Sequence, residues 1–103
     1  MLNNKAFALM TVLKVKDVIR GLKKKGFCQS QSDHTFLIFC VNGLKTPIRT
    51  KVSHGSNEID DYLINRMSIQ VKLEKTQFID LVNCPFSMEN YLKELDTKGF
   101  KFI

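Results

Sequence analysis

Apolar residues recur at Val15, Val18, Ile19 and Leu22, the three-and-four spacing of a helix with one inward stripe. Lys23, Lys24 and Lys25 follow as a basic last turn and Gly26 as a stop, so the pattern predicts a helix over about residues 14–25. From Phe27 the period changes. Phe27 to Gln31 reads as a short strand and Ser32-Asp33 as a turn. His34 to Val41 is a nearly continuous β-branched and aromatic run, the mark of a central strand buried on both faces or nearly so. Asn42-Gly43 is a hairpin signal. Over Thr46 to Ser53 the residues Ile48, Thr50 and Val52 share one face while Arg49, Lys51 and Ser53 share the other. Pro47 has no backbone donor, which argues for a sheet edge at that end.

The second half reads as helical. Ser56 or Asn57 can cap a helix whose first turn holds Glu58, Asp60 and Asp61, with Ile59, Tyr62, Leu63 and Met67 as its apolar stripe. A shorter helix is expected from about Lys75 to Val82, ended by Asn83-Cys84-Pro85 because the residue before proline avoids helical geometry. Ser87 can cap a last helix with Met88, Tyr91, Leu92 and Leu95 inward, stopped near Gly99. The tail Phe100, Phe102, Ile103 is apolar enough to dock on the core. The expected architecture is α+β, a three-stranded antiparallel meander packed on helices, as a single domain over residues 1–103.

Composition adds a charge asymmetry to this picture. The net charge of +6 divides unevenly: residues 1–54 carry 10 basic and 2 acidic side chains, residues 55–103 carry 6 basic and 8 acidic. A cationic face for a polyanion fits that split, and so does a solvated basic surface. An apolar content of 44% with 25% charged residues argues for a folded chain rather than a disordered one. The three cysteines Cys28, Cys40 and Cys84 include no CxxC pair, which suits buried thiols in a reducing cytoplasm. With His34 and His54 they match no common zinc spacing, so no metal site is expected. The apolar segment Lys5 to Leu13 is too short to span a bilayer and is read as soluble structure, with Met10 an alternative start.

Only two histidines are present. His34 stands where a turn meets the central strand, inside the basic half, and an imidazole titrating near neutrality there is a candidate proton shuttle. His54 reads first as a structural or capping histidine beside the following helix. Phe36 and Phe39 read as core, and the Lys23 to Lys25 run as a solvated helix end or a set of phosphate contacts.

Helix, three-stranded meander, helix is the order of the double-stranded-RNA-binding-domain (dsRBD) fold. Three segments make the likeness more specific: Asp17-Val18-Ile19-Arg20-Gly21-Leu22-Lys23-Lys24-Lys25-Gly26-Phe27, then Ser32-Asp33-His34-Thr35-Phe36, then Thr50-Lys51-Val52-Ser53-His54. Together they resemble the HicA-type (YcfA-like) mRNA interferase toxins over roughly residues 14–73, leaving 74–103 as a C-terminal helical extension. The resemblance implies a dsRBD-like α-β-β-β-α layer and a cytoplasmic toxin of a toxin–antitoxin pair. Such a protein cleaves RNA without metal or cofactor and is restrained by a HicB-like antitoxin. His34 then falls on the family's catalytic histidine, with Lys23, Lys24, Lys25, Arg49, Lys51 and His54 as RNA contacts. The sequence departs from the family at Ser32-Asp33, where Gly-Ser is usual, and Asp33 either repels a phosphate or orients the imidazole. The alternatives are a non-catalytic nucleic-acid-binding or protein-interaction module on the same fold, and a structural partner whose basic face docks an acidic protein.

Overall fold

The computed structural model describes residues 12–102 apart from His54, Ser56 and Cys84. A short strand β1 (Leu13–Lys14) leads directly into helix α1 (Val15–Lys24), which buries Val18, Gly21 and Leu22. No side chain caps α1; instead the amide of Val15 donates to the carbonyl of Asn57 at 3.0 Å. Gly26, at φ 99°, turns the chain into the sheet, a left-handed conformation that glycine adopts without strain. Strands β2 (Phe27–Gln31), β3 (Thr35–Val41) and β4 (Leu44–Val52) form an antiparallel sheet in that order, with β3 central. The hairpin between β3 and β4 turns on Asn42 (φ 53°) and Gly43 (φ 79°), the left-handed pair that matches strand twist in a two-residue turn.

The β3–β4 ladder shifts register between Ile38 and Cys40, and Pro47 sits in the irregular stretch, on an edge strand as its missing donor requires. Thr46 bridges the gap. Its hydroxyl donates to the Phe39 carbonyl at 2.7 Å and accepts from the Ile48 amide at 3.2 Å.

The chain then departs from expectation. Glu58 and Ile59 do not open a helix but form strand β5 (Glu58–Ile59), antiparallel to β1, with Leu13 opposite Ile59 and Lys14 opposite Glu58. Helix α2 (Asp61–Gln70) starts later and is capped by Asp60, whose carboxylate accepts from the Leu63 amide at 2.9 Å. The later start rotates the buried stripe to Ile64, Met67 and Ser68, leaving Tyr62 and Leu63 exposed. Asp61 in its first turn pairs with Lys75 at the start of α3 (Lys75–Asn83). Helix α4 (Met88–Thr97) is capped by Ser87, which accepts from the Asn90 amide at 3.1 Å, and ends before Gly99 at φ 92°.

The helices cover one face of the sheet. Phe27, Leu37, Phe39, Ile48 and Val52 from the strands meet Val18, Leu22, Ile64, Phe78, Leu81, Tyr91 and Leu95 in one apolar cluster, so α3 and α4 share the core built by α1 and the sheet. Phe100 and Phe102 pack against it, and the Phe102 ring lies 6.3 Å from that of Phe39. Tyr91 anchors the centre. Its ring lies 4.9 Å from Phe39 and 5.8 Å from Phe27, and its hydroxyl donates to the Val71 carbonyl at 2.8 Å.

Burial pushes the Tyr91 phenol well above its ordinary value. Below about pH 10 the phenol is neutral in both folded and unfolded chains. Above it the unfolded chain ionises first, so stability is lost as pH rises, by up to about 1.4 kcal/mol per pH unit for this one group. Urea midpoints of the wild type and Tyr91→Phe at pH 9, 10 and 11 are expected to diverge, the wild type falling more steeply; parallel declines would exclude Tyr91 as the cause.

Candidate functional site

The turn Ser32-Asp33 closes with the Ser32 amide donating to the His34 carbonyl at 3.0 Å, which fixes His34 at the mouth of β3. Its ring is half-buried and meets the Phe36 ring edge-on, centroids 6.4 Å apart. Antiparallel register puts the end of β4 beside the start of β3, with Phe36 opposite Lys51 and Thr35 opposite Val52. His34, Lys51 and Ser53 therefore converge at one end of the sheet, where they line a cleft of about 120 Å³.

Two further elements close that cleft. The β1–β5 ribbon contributes Glu58 and Ile59, and α2 contributes Leu63, Arg66, Met67 and Gln70, spaced by three and four so that they share a helix face. Arg66 is braced by Tyr62, one turn earlier: its guanidinium lies 5.8 Å from the ring centroid and donates to the hydroxyl at 3.3 Å. Gln70 is held from below, its side-chain carbonyl accepting from the buried Thr50 hydroxyl at 2.5 Å. The cleft thus offers an imidazole, two cations and one carboxylate, beside the neutral polar groups of Ser53 and Gln70, on an apolar floor that includes Val52, Ile59 and Met67.

The sequence candidates distribute over several places. His34 and Lys51 come together in the cleft. Arg49 lies on the outer face of the sheet with its guanidinium over the Phe36 ring, 5.5 Å from the centroid, so Phe36 meets Arg49 and the edge-on ring of His34 instead of packing in the core. Phe39 is fully buried, as expected. Lys23 and Lys24 are exposed at the end of α1, in a shallow groove with Lys16 and Arg20. His54 lies outside the described residues.

Lys25 corrects its expectation. Only 7% of it is accessible, and its ammonium donates to the carbonyls of Leu81 at 2.7 Å and Phe86 at 2.9 Å. These are chain groups at and just beyond the end of α3, where helical carbonyls lack intrahelical partners and attract cations. Lys25 therefore ties α1 to α3 and is turned away from any phosphate at the surface.

The cysteines also depart from expectation. Cys28 is exposed and Cys40 half-buried, both on the outer face of the sheet, while Cys84 lies outside the described residues. The Cys40 thiol is raised, first by burial and then by the hydrogen bond and charge of Cys28. Among the described residues no three His, Cys, Asp or Glu side chains gather as a metal site would need, and no helix is long and apolar enough to cross a membrane.

Sequence reasoning missed Glu58, Arg66 and Gln70. Arg66 did leave a signal, as the sole Lys or Arg between Lys51 and Lys72. No family model matches the chain, nor does any curated protein or solved structure.

Proposed function

We propose that this protein is an endoribonuclease of HicA resemblance on a dsRBD-like fold, cleaving RNA in the cytoplasm by general acid–base chemistry. One observation carries the reading: His34, Lys51 and Arg66 line the same cleft. RNA brings its own nucleophile, so the protein has little to supply. His34 takes the proton from a 2′-hydroxyl as that oxygen attacks the adjacent phosphorus. Lys51 and Arg66 hold the charge that builds on the phosphoryl oxygens. As the 2′-oxygen bonds to phosphorus the P–O5′ bond breaks, and the leaving 5′-oxygen takes a proton from solvent water, giving a 2′,3′-cyclic phosphate and a 5′-hydroxyl. On this reading the restraining partner is a HicB-like antitoxin.

The test is incubation of the purified protein with an RNA oligonucleotide and its fully 2′-O-methylated counterpart, in the presence of a chelator. The RNA should yield fragments ending in 2′,3′-cyclic phosphate and the methylated strand should stay intact. Binding of both without cleavage would instead favour the non-catalytic nucleic-acid module.

A further inference from the structure

The cleft around His34 does not end at its own rim. Val15 and Glu58 line it and also line the neighbouring groove, which continues through Lys16 and Ile19. Those two residues in turn belong to a third groove that runs past Arg20, Lys23 and Lys24. Shared lining residues thus link the three depressions in series from the cleft to the far end of α1, and together they are called the track. Lys16, Arg20, Lys23 and Lys24 fall along one side of the helix by their spacing. The rise from residue 16 to residue 24 is about 12 Å, the length of about three to four stacked nucleotides of one strand.

Two acids, Glu58 and Asp17, lie along this path. Glu58, where cleft and track meet, faces Lys14 directly across the β1–β5 ladder. Asp17 pairs with Arg20 at 3.3 Å, both well exposed, so that pair leaves Arg20 donors for a ligand. Lys16, Lys23 and Lys24 are exposed as well, and half-buried Ile19 lies between them as an apolar strip against which a sugar or base can rest.

We propose that this α1 track binds the RNA backbone flanking the bond held at His34, so that affinity and cleavage grow as the strand extends several nucleotides beyond the reacting pair. The proposal rests on the ribonuclease reading and adds a flanking-backbone surface to its site. A single strand fits because in-line attack by a 2′-hydroxyl needs a backbone free to leave helical geometry. Lysines along a helix hold phosphates without reading bases, so the preference is for length, not for sequence.

Fluorescence anisotropy with uncleavable 2′-O-methyl RNAs, one of four nucleotides and one of twelve, tests the track. The longer probe should bind roughly tenfold or more tightly, and the Lys16→Ala/Lys23→Ala/Lys24→Ala variant should lose most of that advantage, its log–log salt slope falling by about 2. Equal binding of the two lengths, or an unchanged slope in the variant, overturns the track; so does equally tight competition by polyglutamate of matching charge, which would point to an acidic protein. The ribonuclease reading is measured separately, by wild-type cleavage of the same two sequences as unmodified RNA. Cleavage with no length dependence removes the track alone, whereas length-dependent binding with no cleavage removes the enzyme and leaves a binding module.

Discussion

Replacing His34 with alanine is expected to lower the rate of RNA cleavage by about 10² to 10⁴-fold, the usual worth of a positioned general base. Folding should be nearly untouched. His34 is half-buried at a strand mouth and stands outside the apolar cluster, so its loss leaves no core cavity and should change stability by no more than about 1 kcal/mol. Lys51→Ala and Arg66→Ala remove charge from the transferring phosphate and are expected to cost less individually, in the range of about 10-fold to 10³-fold. The decisive measurement is single-turnover cleavage at saturating RNA, with circular dichroism as the folding control. A His34→Ala protein that is folded and cleaves at the wild-type rate would remove His34 from the reaction. If only Arg66→Ala and Lys51→Ala were impaired, the cleft would still bind phosphate and the base would lie elsewhere.

The parts of this site that were legible in the sequence are those set by local rules. The alternation of β4 and the Asn42-Gly43 turn fix the β3–β4 pairing, and that pairing alone brings Lys51 to the end of the sheet that His34 opens. Strand β2 spans the residues its sequence predicts for the same reason, since the Gly26 stop and the Ser32-Asp33 turn bound it locally. What was not legible depends on contacts between distant segments. Gly55-Ser56-Asn57 followed by acids looks like a helix start, yet Glu58 and Ile59 are claimed by Leu13 and Lys14, more than forty residues earlier, and the capping passes to Asp60. Arg66 and Gln70 enter the cleft only once that shift has set the phase of α2. The lysine run makes the same point in three adjacent residues. Composition treats Lys23, Lys24 and Lys25 alike, but the chain turns by about 100° per residue through the end of α1, and only Lys25, just past its last residue, meets the carbonyls of Leu81 and Phe86.

The seating of α1 on α3 carries the largest expected effect on stability. Gly21 lies within α1, where alanine would ordinarily be preferred by about 1 kcal/mol. Here a Cβ would overlap the carbonyl oxygen of Val82 and come within 3.0 Å of its carbonyl carbon and Cα. These are backbone atoms of α3, so no rotamer change can relieve the contact and the two helices must separate. Overpacking of this kind costs about 1–3 kcal/mol where side chains can yield, and more where they cannot. After the propensity gain, Gly21→Ala should still lose about 2 kcal/mol, a fall of about 8–16 °C in melting temperature for a domain of this size. The separation would strain the Lys25 bonds to Leu81 and Phe86 and displace Val15, which lines the His34 cleft. Weaker RNA binding should therefore accompany the lower melting point. Thermal melts of the wild type and Gly21→Ala decide the matter, and a variant as stable as the wild type, or more so, would mean that α1 and α3 do not approach this closely.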